Sequence, residues 1–389
     1  IEPNGLWLKK EFGYTLMGLL ETTTITGQGL EERTDTVIYD AQGGMEQAIN
    51  GLGHTVKTYY DDERFPWKIT RKDDANELTS RTEFDSFGRA YKQIFANGNT
   101  VETQREWCDA NTCDMGAGEI FYTVTSATGK ADAISYFDTL SRPIRSTGTG
   151  FDGSDNGRTV ISETRFNARG KVEWQSLPYF EGESLSNIYG TTTYYDALDR
   201  IESVVDAADR TSSITHKGLT TIYTGHTLKT KTTRRNVLGK TVEVIDHESN
   251  SLLYTFDMWG ALSQVEDPQG NKTKIGRNLR GFKTVLNDLD LGIWYYTYDA
   301  MGKMIDQTDA KGQITHSTYD MLGRRLTRVT DYNTSNAETS VWAYDAGIKG
   351  VGKLNSLTNN TSMTEEYFYN TPYGQPSSVS TTMDGQLYN

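Results

Sequence analysis

The stretch Tyr298-Asp299-Ala300-Met301-Gly302-Lys303 decides the fold, because its pattern returns downstream as Tyr319-Asp320-Met321-Leu322-Gly323-Arg324. The same frame begins at Phe256, and it begins with arginine in place of the aromatic ring at Arg235 and Arg277. These copies start at 21-residue intervals from position 235 to position 319. A fixed period of this length indicates a repeat array rather than an ordinary globular domain.

Looser copies extend the array in both directions. Upstream they begin at Tyr39, Phe84, Phe137, Phe166 and Tyr195, and downstream Tyr344-Asp345 and Tyr369-Asn370 follow at a slightly longer spacing. We therefore predict one continuous repeat array over positions 1–389. Positions 1–190 hold irregular repeats with longer insertions, and positions 191–389 hold regular repeats of about 21–25 residues.

The chemistry of one repeat predicts a β-hairpin. Asp299 to Gly302 has the Asp-then-Gly order of a tight turn, and Asp309 to Gly312 repeats it half a period later. Between these turns residues 303–308 are predicted to run as a short extended segment. Residues 313–318 alternate polar with apolar or β-branched residues, as a half-buried strand does. The predicted unit is thus two strands of about six residues.

One such hairpin is too small to be stable alone, so neighbouring hairpins must pair along their edges. Pairing aligns the Tyr and Phe positions of successive repeats, which predicts a ladder of rings. Neighbouring strands also twist by roughly 20–25°, so a long ribbon must coil into a spiral, a tube or a shell wall. The predicted fold class is all-β, a repetitive antiparallel β-hairpin ribbon coiling into a hollow shell or spiral.

Composition and charge limit the possible partners. Hydrophobic residues are only 35% of the chain, which suits a thin sheet with wetted faces better than a thick core. Aromatic residues, at 11%, supply large buried areas that a disordered chain lacks. The formal net charge of −13 and the lack of a basic cluster disfavour nucleic acid and anionic membranes. No stretch is apolar for long enough to predict a membrane span. Because the chain opens at Ile1 without Met or a signal segment, we expect a piece of something longer.

Cys108 and Cys113 lie close together in sequence. A loop-stapling disulfide is the leading interpretation and implies an oxidising destination. A zinc site would need more ligands than the neighbouring sequence supplies, and two free thiols are the third alternative.

The Tyr-Asp-x-x-Gly-Arg core, the 21-residue period and the Asp-x-x-Gly turn half a repeat later resemble the YD-repeat, or Rhs-repeat, family. That family includes bacterial Rhs toxins, the B and C components of Tc toxins, and teneurins. The resemblance covers nearly the whole chain and is strongest from Tyr195 to Tyr344. The segment around Cys108 and residues 177–182 look like the middle of large bacterial Rhs proteins rather than teneurins.

The resemblance implies a non-catalytic scaffold, part of a shell that encapsulates or presents a toxin or effector polypeptide for delivery. The implied partners are that polypeptide and other segments of the same shell, and the implied location is secreted or on a bacterial cell surface. The alternative function is a cell-surface carbohydrate-binding or adhesion module, with surface glycans as partners. Family members that release their cargo carry an Asp-Pro-x-Gly-Leu element, whereas Asp267-Pro268-Gln269-Gly270 continues with Asn271, so self-cleavage is not carried over.

No catalytic, cofactor-binding or metal-binding residue is predicted. Asp299 and Asp320 could form a carboxylate pair on adjacent hairpins, but the repeat already explains them as turn residues. The histidines form no H-x-x-x-H or H-E-x-x-H pair; they are His54, His216, His226, His247 and His316.

Two local patterns invite a binding interpretation. The loop from Asp152 to Glu163 approximates calcium-loop spacing, but the ligand set is incomplete, so we favour a polar hairpin tip. Trp294, Tyr295, Tyr296 and Tyr298 could stack on sugars. Alternation along a strand sends only every second ring to one face, so we favour structural packing.

Overall fold

The computed structural model describes residues 6–61, 68–150 and 157–388. This part of the chain is built from 34 β-strands and two three-residue 3-10 helices. Neither helix in the described ranges is long enough to cross a membrane. The predicted all-β fold is confirmed.

In the first half the elements are β1 (Leu8–Tyr14), β2 (Leu20–Gly27), β3 (Arg33–Tyr39), β4 (Met45–Ile49), β5 (Thr55–Tyr60), β6 (Lys68–Asp73), β7 (Leu78–Phe84), β8 (Ala90–Ile94), β9 (Thr100–Trp107), the 3-10 helix Met115–Ala117, β10 (Phe121–Ala127), β11 (Ala133–Phe137), β12 (Pro143–Thr149), β13 (Thr159–Phe166), β14 (Val172–Ser176), β15 (Tyr179–Phe180) and the 3-10 helix Leu185–Asn187.

In the second half they are β16 (Gly190–Tyr195), β17 (Ile201–Val205), β18 (Thr211–Lys217), β19 (Thr220–Thr224), β20 (Thr230–Arg235), β21 (Thr241–Ile245), β22 (Ser251–Phe256), β23 (Leu262–Glu266), β24 (Lys272–Arg277), β25 (Lys283–Asp288), β26 (Gly292–Tyr298), β27 (Met304–Thr308), β28 (Ile314–Tyr319), β29 (Arg325–Thr330), β30 (Glu338–Tyr344), β31 (Leu354–Asn359), β32 (Met363–Phe368), β33 (Ser378–Met383) and β34 (Gln386–Tyr388).

The strands form one antiparallel ribbon in which each strand pairs with the next in chain order. The exception is at β13, which pairs with β12 along one edge and with both β14 and the short β15 along the other. β14 then pairs with β16, so β15 is a side branch and the main ribbon continues past it. Phe256, Tyr298 and Tyr319 are the last residues of β22, β26 and β28, so they occupy equivalent places on the ribbon.

The ribbon has two edges, each made of turns. We call the turns that follow the repeat ring the Tyr-Asp edge; it includes residues 196–199, 236–239, 257–260, 278–281, 299–302 and 320–323. We call the other turns the opposite edge; it includes residues 27–32, 50–53, 74–77, 267–270 and 309–312. On the Tyr-Asp edge the pairing register shifts just before the turn, as between Thr297 and Tyr298. Gly302 then has φ of 86°, which a hairpin turn ending in a bulge requires.

The sheet is a single thin layer. Among the described residues only five hydrophobic side chains are buried, Phe121, Tyr136, Ile161, Ala300 and Tyr369. Stability therefore comes from strand pairing and from half-buried contacts repeated along the ribbon, as in other repeat proteins.

After about one turn of a spiral, the Tyr-Asp edge of later repeats meets the opposite edge of the first repeats. A Cβ on Gly27 would lie 3.0 Å from the Ala300 Cβ, and a Cβ on Gly51 would lie 3.3 Å from the Met321 sulfur. The added Cβ would also meet Leu30 Cδ1 at 2.8 Å at Gly27 and Arg33 Cγ at 2.7 Å at Gly51, so both glycines are packed tightly from their own part of the ribbon as well as across the contact. The contacting residues are far apart in sequence, so the predicted coiling of the ribbon is confirmed, with this line of contact as its seam.

Candidate functional site

The turn of the Tyr-Asp edge is built by its aspartate. Asp320 Oδ1 accepts hydrogen bonds from the backbone N–H groups of Leu322 at 3.0 Å and Arg324 at 2.8 Å. The Arg324 guanidinium donates through Nε to Asp320 Oδ2 at 2.6 Å. The same three bonds recur at Asp138 and Asp196. Where Asp and Arg stand at this spacing, one carboxylate binds both the turn backbone and the arginine.

The turn arginine also joins one repeat to the next. Arg324 donates a second, two-pronged pair of bonds to Asp345 at 2.9 and 2.7 Å, and its guanidinium lies 4.4 Å from the centre of the Tyr344 ring. The bond to Asp345, against the opposing effect of burial, raises the pKa of Arg324, and the same bond lowers the pKa of the Asp345 carboxyl. The planar guanidinium group of arginine can form two parallel hydrogen bonds to a carboxylate and stack on an aromatic ring at the same time.

The same stacking contact recurs with other side chains at the arginine position. Arg142 lies 4.4 Å from the centre of the Phe166 ring, and the Phe282 ring stacks on Tyr298 at 5.1 Å. At these places each ring of the predicted ladder packs against the side chain at the arginine position of the preceding repeat. The sequence predicted the rings but not their partners.

The tyrosine hydroxyl adds a second link between repeats. Tyr298 donates to the Lys283 carbonyl at 2.8 Å and Tyr319 to the Met304 carbonyl at 2.9 Å, with the same sequence offset in both cases. Tyr369 makes the equivalent bond to Leu354, and Tyr60 shows that its own Tyr-Asp pair is a further copy that sequence reasoning missed. The hydroxyl explains why the repeat favours tyrosine over phenylalanine.

The seam adds specific polar bonds to the close glycine contacts. The Asn76 side-chain amide donates to the Val351 carbonyl and accepts from the Val351 N–H, both at 3.0 Å, although the two residues are distant in sequence. Asn76 is 3% exposed, so these bonds are shielded from water. His54 Nε2 lies 3.7 Å from Asp345 Oδ1 on the same line of contact. The seam is thus a defined interface between two turns of ribbon.

A cavity of about 740 Å³ lies where the sheet forks at β13. Glu119, which is fully buried, pairs with Arg145 through bonds of 2.5 and 2.9 Å. Tyr179 donates to Glu163 at 2.7 Å, and burial followed by this bond raises the pKa of Tyr179 to about 12. Each of these groups already has a partner, so the cluster fastens the fork and offers no free group to a ligand. Sequence reasoning missed it because its members are brought together only by strand pairing.

A second cluster contains the residue types of a catalytic triad. His316 Nδ1 lies 2.7 Å from Asp306 Oδ1, and Thr297 donates to Asp306 Oδ2 at 2.8 Å. In a hydrolase triad the hydroxyl bonds to the imidazole, which takes its proton. Here the hydroxyl bonds to the carboxylate instead, and the Tyr332 ring stacks on His316 at 4.5 Å. The arrangement pins neighbouring strands together.

The structure shows the bonding of several residues that the sequence analysis considered as sites. Cys108 and Cys113 form a disulfide, so the leading interpretation is confirmed and the zinc and free-thiol alternatives are wrong. Asp299 and Asp320 accept backbone bonds within their own turns, as predicted. Asp267 accepts from the N–H groups of Gln269 and Asn271, as in the other turns.

Two predictions on binding loops have different outcomes. Residues 152–156 of the calcium-like loop lie outside the described residues, and Glu163 at its end bonds to Tyr179. Trp294 is half-buried on β26, where exposure alternates as predicted, and its indole N–H donates to the Leu291 carbonyl at 2.9 Å. Tyr295 on the other face is 54% exposed. Glycan binding stays a prediction.

Comparison with solved structures shows which known fold this is. The pore form of the Photorhabdus luminescens Tc holotoxin matches with a TM-score of 0.76 over 96% of this chain, at 13% identity. The chain has the YD/Rhs-repeat fold. A crystal structure of TcdB2-TccC3 without its hypervariable C-terminal region matches over 97% of the chain with a TM-score of 0.58 at 12% identity, and TcdB2-TccC3-Cdc42 over 98% with 0.54 at 11%.

The chain covers 25%, 32% and 30% of those three larger chains respectively. It therefore spans about a quarter to a third of their length. No protein-family model and no curated protein matches the chain by sequence. The fold follows from the structure, whereas the activity and partners of the larger proteins remain matters of proposal.

Proposed function

We propose that this chain is a non-catalytic structural scaffold, a section of a YD/Rhs-repeat shell that encapsulates or presents a toxin or effector polypeptide for delivery. The observation that carries the proposal is the seam. A ribbon whose Tyr-Asp edge fits its own opposite edge after one turn is built to make a wall, because successive turns can seal against each other.

The chemistry along the ribbon supports a wall better than a catalyst. Asp267, Asp299 and Asp320 accept hydrogen bonds within their own turns. The cavity at the β13 fork is lined by paired charges, and the His316 cluster has the wrong order of hydrogen bonds for a triad. The thin layer leaves both faces wetted, which suits a barrier between an interior and an exterior. The likeness to Tc toxin chains agrees with this role.

The proposed partners are an enclosed toxin or effector polypeptide and other segments of the same shell. The proposed location is secreted or on a bacterial surface, where the Cys108–Cys113 disulfide would persist.

Limited proteolysis of the natural full-length protein that contains this chain tests the proposal. We expect a polypeptide outside the repeat array to survive protease while the seam is closed. In an Asn76→Asp variant the new carboxylate would face Asp73, whose Oδ2 now accepts from the Asn76 amide at 2.6 Å, so the seam should open and cleavage should accelerate. A Tyr295→Ser variant on the exposed sheet face is the control and should protect like wild type. Equal cleavage of that polypeptide in wild type and in the seam variant would refute encapsulation.

A further inference from the structure

The loop between β9 and β10 is tied to the sheet by the Cys108–Cys113 disulfide. Cys108 is anchored beside the start of β10, because its N–H donates to the Ile120 carbonyl at 2.9 Å. The N–H of Cys113 donates instead to the Asp109 carbonyl at 3.1 Å, so Cys113 belongs to a turn within the loop itself. The bridge therefore joins this turn to a fixed point on the sheet.

The disulfide packs against a buried carboxylate. Its two sulfur atoms and one carboxylate oxygen of Glu119 all lie within 4.8 Å of one another, and Glu119 is fully buried. Asp114, which directly follows Cys113, donates its backbone N–H to Glu119 Oε2 at 2.8 Å. Arg145 on β12 also donates to this carboxylate. The position of the disulfide loop thus decides whether the buried carboxylate keeps the N–H donor of Asp114.

The same loop forms one wall of the cavity at the β13 fork. Asp114 and residues 117–120 line the cavity from the loop, and Tyr179 of the side strand β15 lines it from the fork. Arg145 lies directly opposite Glu163 in the pairing of β12 with β13, and Glu163 accepts the hydrogen bond of the Tyr179 hydroxyl. A path of bonded or directly paired residues therefore runs from the disulfide loop to β15.

We propose that the Cys108–Cys113 disulfide is a redox-sensitive lock on the β13 fork, which a dithiol reductant opens. One thiolate of the dithiol attacks a cysteine sulfur and displaces the other cysteine as a thiol. The second thiolate then closes a disulfide within the reagent and releases the first cysteine, so the chain gains two electrons and two protons. The reagent can reach the half-buried sulfur atoms, because residues 109–112 between them are exposed.

Reduction changes the packing around Glu119. The two thiol sulfur atoms must move from bonding distance to van der Waals contact beside a fully buried carboxylate, which displaces the adjoining Asp114. Glu119 then loses the Asp114 N–H donor, and a buried carboxylate that loses a donor is destabilised until water reaches it. Water entry separates the loop from β12 and opens the cavity. Passage from an oxidising exterior to a reducing cytosol would supply the signal; that use rests on the proposed function, whereas the lock itself does not.

Hydrogen exchange of the 389-residue chain with and without dithiothreitol, followed by mass spectrometry, tests the lock. The chain has two cysteines, so the reagent has one bond to reduce. We expect exchange at residues 114–120 and in β12 to accelerate by at least about tenfold on reduction and to slow again on reoxidation. Exchange in β24 to β28 should stay unchanged. Radical labelling of Tyr179 should rise on reduction, because the opened cavity admits solvent.

A Cys108→Ser/Cys113→Ser variant is the matched control. It lacks the bridge and keeps side chains of similar size, so its exchange without reagent should match that of reduced wild type and should not respond to dithiothreitol. Acceleration confined to residues 109–113, no acceleration on reduction, or an equal response to the reagent in the serine variant would each overturn the proposal. These measurements need no enclosed polypeptide, so failure of the encapsulation proposal would leave their outcome unchanged.

Discussion

Removing one tyrosine hydroxyl should destabilise the ribbon locally. Adding a hydroxyl at a repeat that has phenylalanine should have the opposite effect. Tyr298→Phe deletes the 2.8 Å bond to the Lys283 carbonyl and leaves the stacked ring in place. Burial raises the pKa of Tyr298, so the hydroxyl keeps its proton at neutral pH and acts as a donor. Phe256 lacks this hydroxyl at the equivalent strand end, where the corresponding carbonyl is that of Thr241.

A neutral hydrogen bond contributes about 0.5–1.5 kcal/mol, and a carbonyl left without a partner adds to the loss. We expect Tyr298→Phe to cost about 1–2 kcal/mol in the local opening free energy of β25 and β26. Phe256→Tyr should gain about 0.5–1 kcal/mol at β21 and β22. Because each repeat contacts mainly its neighbours, both effects should stay within about one repeat.

Native-state hydrogen exchange followed by mass spectrometry measures these local free energies. Exchange in β25 and β26 should accelerate by roughly tenfold in Tyr298→Phe. Exchange in β21 and β22 should slow in Phe256→Tyr, and the double variant should show both changes independently. If neither variant changes exchange near its site, the hydroxyl is dispensable and only the ring matters.

Three further predictions concern the seam, one strained turn and pH. Asn76→Ala removes both bonds to Val351 and should destabilise the seam by about 2 kcal/mol, seen as faster exchange at residues 349–353 with β28 unchanged. Leu228 has φ of 63° and is 81% exposed, so Leu228→Gly should raise the free energy of unfolding by about 0.5–1 kcal/mol in urea titration. Hydrogen bonds lower the pKa of Asp206 to about 2, the largest effect coming from the Arg210 side chain and the next from backbone N–H groups. The stability from that carboxylate is complete above about pH 4 and is lost as pH falls to about 2. Asp206→Asn keeps the turn acceptor, so its urea midpoint should fall less over that window.

The regular repeats made most of the fold predictable. The 21-residue period placed Phe256, Tyr298 and Tyr319 correctly at equivalent strand ends, because turn chemistry and strand alternation are local properties of the sequence. Asp299 and Asp320 were correctly interpreted as turn residues for the same reason.

The contacts that escaped prediction join residues far apart in sequence. Nothing near Asn76 signals a bond to Val351, since the pairing depends on the accumulated twist of the whole intervening ribbon. Glu119 and Arg145 meet only after the strands between them have paired. Gly27 and Gly51 resemble ordinary turn glycines until the second turn of ribbon arrives.

Contacts across the seam should break before the hydrogen bonds between neighbouring strands when the protein opens. Within the ribbon, neighbouring strands are joined by ladders of backbone hydrogen bonds such as the continuous register from β6 to β7, and ring–arginine contacts such as that of Tyr344 with Arg324 add further links between repeats. The described seam depends on close turn packing, two bonds at Asn76 and the approach of His54 to Asp345. Fewer bonds must break to part the turns than to unfold a hairpin, so we expect the seam to open while the strands stay paired. A coiled ribbon with this hierarchy of contacts can part at the seam while its strands stay paired.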